Sequence, residues 1–133
     1  MAKSASLTQG VDVVAPLDGI RVIEIDSWMA APSAGAILAD MGADVIKVEP
    51  LSGDPMRDLG RPAKLPDDIK GYDFQFTVDN RGKRSVAVAL DTDEGADTVR
   101  RLVADAHIFM CNLLPQRQER FGLDPATLMK VNP

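Results

Sequence analysis

The stretch GIRVIEIDSWMAAPSAGAILADMGADVIKVE, residues 19–49, decides the fold of this chain. Its first part, residues 20–25, is short and rich in β-branched side chains, which predicts a strand, and residues 44–49 have the same character. Between the two, Pro32 suits the first turn of a helix and Gly42 suits its exit. A strand, a helix and a strand within about thirty residues predict a βαβ unit with parallel strands and a right-handed crossover.

The predicted helix has one apolar face that we expect to pack against the sheet. Its members recur at positions i, i+3, i+4 and i+7, and they are Ala34, Ile37, Leu38 and Met41. In parallel sheets of this kind, ligands bind beyond the carboxyl ends of the strands. We therefore expect the functional site in residues 27–33 and in the segment that follows Glu49.

The composition predicts one soluble domain. The chain has 133 residues, of which 45% are hydrophobic and 26% charged, enough for a substantial core. The net charge of −5 argues against nucleic-acid binding, no apolar run is long enough to span a bilayer, and the amino terminus lacks the apolar core of a signal peptide. The single cysteine, Cys111, excludes an intrachain disulfide framework and suggests a reducing compartment. We expect a cytoplasmic protein that binds neither nucleic acid nor membranes.

The remaining sequence continues the alternation of strands and helices. We predict strands at residues 85–90 and 107–112, and helices at residues 91–106, 115–121 and 126–131, the last of which begins at Asp124 or Pro125. The pattern is typical of an α/β domain, Rossmann-like, with a mostly parallel sheet and flanking helices. Asn-Pro at residues 132–133 stands where another strand is expected, so we predict a sheet that is incomplete at its C-terminal end. We assign residues 1–15 to a tail and lead-in and residues 16–133 to the domain.

Two segments allow alternative interpretations. Residues 50–70 form a long proline- and glycine-rich loop, either a surface excursion or a lid or wall of the ligand site. Residues 72–80 alternate aromatic and other side chains as a strand would, but a short helix that faces the core fits them as well. For the helix that follows the third strand, we expect Asp91 as the N-cap, with Glu94 reaching back in a capping box.

The residue types present argue against several catalytic and metal chemistries. His107 is the only histidine, and no G-x-S-x-G elbow is present, so a Ser-His-Asp triad is not expected. His107 and Cys111 on one strand are a poor ligand set, so we expect no metal site. Glu49 occupies the place of a ribose-binding acid, but residues 27–32 carry no G-x-G-x-x-G, which argues against a nicotinamide or flavin cofactor.

A basic turn, Asn-Arg-Gly-Lys-Arg at residues 80–84, carries three positive charges in an acidic protein. Cations this close together repel one another, so another interaction should offset the repulsion. A bound phosphate is one, through charge-assisted hydrogen bonds. A turn whose cations are merely solvated is the other interpretation.

Short segments typical of one known family recur from residue 16 to the end of the chain. They are PLDGIRV (16–22), LADMGADVIKVE (38–49), GDPMR (53–57), NRGKRSV (80–86), LVADA (102–106) and ERFGL (119–123), with Asn112, Pro115 and the final Asn-Pro. Together they resemble the amino-terminal part of the class III, or CaiB/BaiF-type, coenzyme A transferases. That family includes formyl-CoA transferase and the α-methylacyl-CoA racemases.

The resemblance implies a Rossmann-like domain that takes coenzyme A (CoA) or acyl-CoA as a substrate, together with a carboxylic acid and without a prosthetic group. It also implies an interlocked homodimer. The family's CoA contacts fall here on Trp28, Met29, Ala30, Asn112, Leu113, Arg120 and Phe121. Where some members carry a cation near the nucleotide phosphates, this chain has Pro50 and Asp91, so we name Arg57, Arg81 and Arg120 as candidate phosphate partners.

The resemblance further implies a reaction. In the family, an Asp attacks the acyl-CoA to form a mixed anhydride and then a CoA thioester of the enzyme, which passes CoA to the acceptor acid. The matching position lies beyond Pro133, so we expect no catalytic residue within the present chain. We predict the CoA-binding portion of a CoA transferase. The alternatives are an α-methylacyl-CoA racemase-like enzyme and a non-catalytic CoA-binding or interaction module.

Overall fold

The computed structural model describes residues 15–59 and 73–133 of the chain. The strands in these ranges are β1 (Arg21–Ile25), β2 (Asp44–Glu49), β3 (Arg84–Ala87) and β4 (Ile108–Cys111). The helices are α1 (Ala30–Asp40), α2 (Met56–Leu59), α3 (Phe74–Asn80), α4 (Asp93–Ala104), α5 (Pro115–Phe121) and α6 (Pro125–Val131). Within the same ranges, no helix has the length and apolar character needed to cross a bilayer.

The strands form one parallel sheet in the order β3-β2-β1-β4. β1, α1 and β2 make up the predicted βαβ unit, and β2 has the predicted bounds. The chain adds β2 and β3 on one side of β1 and then returns to place β4 on the other side. The topological switch point therefore lies between β1 and β4, where ligands bind in sheets of this type. The α/β fold with a parallel sheet and flanking helices is confirmed.

The two faces of the sheet differ in chemistry. One packs against α4 and α6 in an apolar core, whose buried residues are Ile23, Ile25, Ile46, Val48, Val88, Val99, Val103, Leu123 and Leu128. The other face, beneath α1, is apolar in its first half, where Val22 and Val45 pack with Leu38. Two residues further along, the same face carries Glu24 and Lys47, which are register partners across β1 and β2. The charged half of this face thus lies toward the carboxyl ends of the strands.

The predicted apolar face of α1 is wrong. Ala34, Ile37 and Met41 are exposed, Ile37 to 54%, and only Leu38 of the four packs against the sheet. The helix instead buries Pro32, Gly35 and Ala36. Because these residues are small, the backbone of α1 lies close to the charged half of the sheet. A face of Ile and Met side chains would hold the helix further from the sheet.

Two local predictions are decided by helix caps. Residues 74–80 form α3 because the Asp73 side chain caps the helix, accepting a hydrogen bond from the Phe76 amide at 3.0 Å. The short-helix interpretation is therefore correct for these residues and the strand interpretation is wrong, but no residue of α3 is buried in a core. The Asp91 cap is also wrong, because the Thr92 hydroxyl accepts from the backbone amide three residues on and α4 begins directly after it.

The remaining elements match the prediction apart from their ends. β3 and β4 are shorter than the predicted strands, α5 has the predicted bounds, and α6 begins at Pro125, one of its two predicted starts. Gly122 ends α5 in a left-handed conformation with φ of +60°. Within the predicted loop at residues 50–70, α2 is a short helix, and residues 60–70 lie outside the described residues, as does residue 72.

Candidate functional site

A cavity of about 470 Å³ opens at the carboxyl edge of the sheet. Its walls come from the segments that follow β1, β2, β3 and β4 and from α5. The apolar lining includes Val48, Val88, Leu113 and Phe121, and the polar lining includes Asp26, Ser27, Asp91 and Arg117. A mostly apolar cavity of this size with a few polar groups is typical of a small-molecule site. Its position is the one that the strand-end rule predicts.

Ser27 and Asn112 join the ends of β1 and β4 across the switch point. The Ser27 amide donates to Asn112 Oδ1 at 3.2 Å, and Asn112 Nδ2 donates to the Ser27 carbonyl at 2.8 Å. The Asn112 amide also donates to the Ile25 carbonyl at 3.3 Å. The Asn112 side chain therefore continues the ladder beyond the last residue of β4 and fixes the turn that leads into α1.

Trp28, Met29 and Ala30 lead into α1 and stand exposed at this edge. Trp28 has a φ of +72°, and a left-handed conformation costs a residue other than glycine about 1–3 kcal/mol. The Trp28 side chain is 49% exposed. A strained backbone that presents a large exposed ring is typical of a contact segment, since packing alone gives no reason to hold it there.

A buried ionic cluster lies behind this segment and consists of Glu24, Asp26, Lys47, Asp54 and Lys83. Lys47 is 1% exposed. Its ammonium lies 3.0 Å from Asp26 Oδ1, 3.0 Å from Asp54 Oδ2 and 3.7 Å from Glu24 Oε1. It also donates to the Asp26 carbonyl at 3.0 Å, and Lys83 donates to Glu24 Oε1 at 2.6 Å. Three carboxylates thus share two ammonium groups away from solvent.

Burial, followed by the charges of neighbouring groups, changes the pKa values of the cluster. Burial, with the charge of Asp26 added, raises the pKa of Glu24 to about 6 in spite of its lysine partners. Burial also raises the pKa of Asp26, against the lowering effect of Lys47. Burial alone would lower the pKa of Lys47, but Asp26 and Asp54 raise it, so the ammonium stays charged. Glu24 Oε2 and Asp26 Oδ2 have no hydrogen-bond partner among the described residues.

Glu49 and Arg57 form a second ion pair at the end of β2. Arg57 Nε and Nη2 donate to the two Glu49 carboxylate oxygens at 2.8 and 2.6 Å. Those oxygens also accept from the Ser85 hydroxyl at 2.6 Å and from the Asp54 amide at 2.9 Å. Burial alone would raise the pKa of Glu49, but these donors lower it to about 2. Glu49 is therefore engaged within the domain, and the Arg57 guanidinium stacks 3.7 Å from the centre of the Phe76 ring.

Each cation of the basic turn has an acidic partner within the domain. The pairs are Arg81 with Asp40, Lys83 with Glu24, and Arg84 with Asp44. The turn precedes β3 and lies at the amino edge of the sheet, opposite the cavity. These ion pairs account for the charge of the turn without a bound phosphate, and the Arg81 and Arg84 side chains are also exposed to solvent, to 43% and 61%.

The structure brings most of the predicted CoA contacts to the carboxyl edge. Leu113 and Phe121 line the cavity, and the segments that follow β1 and β4 lie beside it. The Arg120 guanidinium lies 5.8 Å from the centre of the Phe121 ring. Arg57 is also at this edge but binds Glu49. Arg81, at the amino edge, is apart from the other candidates.

Sequence analysis missed two features of this edge. Arg117 lines the cavity, and its guanidinium has no acidic partner among the described residues. The sequence indicates Arg117 through its spacing, since Arg117 stands three residues before Arg120 and the two share one helix face. Lys47 is the second missed feature. The sequence does indicate it, because VIKV places a lysine inside an apolar strand. The matching acid, Glu24, stands in VIEI of the neighbouring strand.

A parallel α/β sheet with a cavity at its carboxyl edge and switch point defines the class of protein, a Rossmann-like α/β domain. Residues 17–133 match the sequence profile of CoA-transferase family III. The chain therefore belongs to CoA-transferase family III.

Relatives and solved structures agree with this membership. The chain is 45% identical over 120 residues to succinate–glutarate CoA-transferase of Agrobacterium fabrum, covering 89% of this chain and 30% of the relative. It is 41% identical to succinyl-CoA–D-citramalate CoA-transferase of Chloroflexus aurantiacus, covering 89% and 28%. The crystal structure of a CaiB/BaiF family protein from Brucella suis superposes with a TM-score of 0.80 at 40% identity, covering 90% of this chain and 31% of that one. The chain thus spans about three-tenths of the length of the proteins it matches.

Proposed function

We propose that this chain is the CoA-binding portion of a class III CoA transferase, which moves CoA from an acyl-CoA to a carboxylic acid. The observation that carries the proposal is the cavity at the carboxyl edge of the sheet, in a chain of this family. The relatives named above act on succinate, glutarate, succinyl-CoA and D-citramalate by their names. We therefore expect small dicarboxylic acids and their CoA thioesters as substrates.

The charges at the edge suggest which residues meet the CoA phosphates. Arg57 and Arg81 are engaged in ion pairs with Glu49 and Asp40. Arg117 lines the cavity without such a partner among the described residues, and Arg120 lies one helical turn further along α5. We assign the phosphate contacts to Arg117 and Arg120, because a cation already neutralised has less to offer an anion. The apolar walls of the cavity suit the adenine ring.

The transfer chemistry belongs to the same proposal. The resemblance assigns the nucleophile to an Asp downstream of Pro133, which forms a mixed anhydride and then an enzyme CoA thioester. Residues 16–133 would supply the CoA-binding domain, in an interlocked homodimer located in the cytoplasm. In this assignment the described residues bind and orient CoA, and none of them becomes covalently modified.

The first test is a calorimetric titration of the full-length protein with CoA and with dephospho-CoA. We expect CoA to bind with a Kd between about 1 μM and 1 mM, the usual range of substrate constants. Arg117→Gln should weaken CoA binding by about ten- to a hundredfold, since a charge-assisted hydrogen bond contributes about 1.5–3 kcal/mol. Arg101→Gln, at an exposed arginine of α4 remote from the cavity, is the matched control and should bind CoA as the wild type does.

The second test is transfer itself. The full-length protein should form a new acyl-CoA when it is given succinyl-CoA and a second dicarboxylic acid, followed by chromatography of the thioesters. Absence of CoA binding would contradict the proposed function at its first step. Binding without transfer to any acid would favour the alternative of a CoA-binding module.

A further inference from the structure

Lys47 connects three segments that meet behind the exposed Trp28 ring. The lysine belongs to β2, while its partners belong to the turn after β1 and to the segment after β2. Its contacts with Asp26 involve both the carboxylate and the backbone carbonyl, each at 3.0 Å. A single buried ammonium therefore fixes the direction in which the chain leaves β1.

Asp54 contacts both the Lys47 ammonium and the backbone amide of Trp28. Its Oδ2 lies 3.0 Å from the Lys47 ammonium, while its Oδ1 accepts from the Met56 amide at 2.9 Å and from the Trp28 amide at 3.4 Å. The Glu49 carboxylate holds the Asp54 backbone in turn, by accepting from its amide at 2.9 Å. The only polar contact recorded for the Trp28 amide within the described residues is thus with a carboxylate that Lys47 orients.

Stability alone is a weak reason to keep such a cluster. Replacing a buried ion pair by apolar residues is often neutral or stabilising, because desolvation of the charges offsets their attraction. Here the cluster abuts a residue in an unfavourable left-handed conformation, which persists only where neighbouring contacts enforce it. The cluster and the strained residue are joined through one side chain, Asp54.

We propose that Lys47 and Asp54 are positioning residues, which hold the Trp28 segment in the conformation that receives the ligand. The ligand is the one of the proposed function, a CoA thioester, and the effect on affinity rests on that function. The effect on Trp28 does not, because it is a property of the unliganded protein. Neither residue contacts the ligand in this proposal, and the segment between Ser27 and Ala30 makes the contact.

Trp28 is the tryptophan of these 133 residues, and a Trp28→Phe variant of the full-length protein isolates its fluorescence from that of any other tryptophan. Asp54→Asn tests the arrangement, since a carboxylate accepts on both oxygens whereas an amide accepts on one. Either Lys47 must lose the carboxylate oxygen of its ion pair, or the two backbone amides must lose their acceptor. Asp40→Asn is the matched control, because it makes the same change at an exposed ion pair with Arg81 at the opposite edge of the sheet.

We expect Asp54→Asn to increase acrylamide quenching of Trp28 in the full-length protein without ligand, and Asp40→Asn to leave it unchanged. If the ordered conformation falls to about one-tenth of the population, the Kd for CoA rises about tenfold. Thermal unfolding measured on the same samples shows whether the change reaches beyond this segment. A merely structural role for Asp54 would lower the melting temperature without moving the quenching of folded protein.

Unchanged quenching in folded Asp54→Asn would overturn the proposal, as would increased quenching with an unchanged Kd for CoA. If the wild type binds no CoA, the proposed function fails, and the quenching comparison still decides whether Lys47 and Asp54 position Trp28. If Asp54→Asn does not fold, ¹⁵N relaxation on the unaltered protein decides. The Trp28 amide should then have an order parameter of about 0.85, and a value below about 0.6 would overturn the proposal.

Discussion

Gly35 of α1 lies directly over Glu24 of β1, and a Cβ atom at Gly35 would stand 1.8 Å from Glu24 Oε2. The Glu24 carboxylate cannot simply turn aside, because it is fully buried and held by Lys83 at 2.6 Å. The Lys83 ammonium would itself lie 3.1 Å from the added atom. The helix can approach the charged half of the sheet this closely only where it lacks a side chain.

Gly35→Ala should therefore destabilise the protein. In an ordinary helix position the change would stabilise by about 1 kcal/mol, but here overpacking should cost about 1–3 kcal/mol. Urea unfolding followed by circular dichroism measures the difference. Ala34→Gly is the control at the neighbouring exposed position and should cost about 1 kcal/mol through helix propensity alone. A stabilised Gly35→Ala variant would contradict the close approach.

The same contact explains why the sequence located α1 but not its buried face. The βαβ unit follows from local signals, because β-branched runs, Pro32 and Gly42 act on the backbone nearby. The apolar stripe through Ile37 and Met41 assumes an apolar partner surface, and the sheet beneath this helix is charged in the half nearest the site. Helix periodicity cannot reveal the chemistry of the surface that the helix meets.

The sequence predicts where the site lies, but it does not predict which of its charged side chains are available to a ligand. Parallel strands put the segments after β1 and β4 at one edge, and the structure has a cavity at that edge. Which cations are free depends on tertiary pairing, since Arg57 and Arg117 are both arginines in polar surroundings along the chain. Only the fold shows that the first is bound to Glu49 while the second lines the cavity.

Loss of the Arg57 guanidinium should destabilise the domain strongly. Arg57→Met would leave the buried Glu49 carboxylate without its main partner, and breaking a buried pair costs about 3–5 kcal/mol. Because the Arg57 side chain is 42% exposed, we expect the lower end, about 3 kcal/mol. Arg81→Met removes an exposed pair with Asp40 and should cost about 0–1 kcal/mol. Equal losses in urea unfolding of the two variants would argue against a structural role for the Glu49 pair.

Glu24 should make stability depend on pH in the direction opposite to most carboxylates. Its pKa is about 6 in the folded chain against 4.5 for the ordinary value, so the folded state binds the proton more tightly. The contribution is fully present below pH 4.5 and is lost as the pH rises through 6. Relative to Glu24→Gln, the wild type should gain about 2 kcal/mol of unfolding free energy between pH 7 and pH 4.

Urea unfolding of both proteins across this range measures the effect. Glu49, whose pKa is lowered to about 2, destabilises the fold as the pH falls, but it is present in both proteins and cancels from the difference. Glu119→Gln, at an exposed carboxylate of α5, is the matched control and should parallel the wild type. A constant difference between wild type and Glu24→Gln at every pH would show that Glu24 carries the same charge in the folded and unfolded chains.

Asn112→Ala should separate the effect of the Ser27 contact on binding from its effect on stability. The substitution removes the two hydrogen bonds that hold the turn after β1, and it should cost about 1–2 kcal/mol of unfolding free energy. Asn132→Ala removes a comparable pair of side-chain hydrogen bonds, to the Val103 and Ala106 carbonyls on the far side of the domain, so it should cost a similar amount. Only Asn112→Ala should weaken CoA binding in calorimetry, by about tenfold. The reason is that residues 28–30 follow the turn after β1, and the Asn112 side chain holds that turn. Equal affinities in the two variants would mean that the turn does not shape the CoA site, whatever its contribution to the fold.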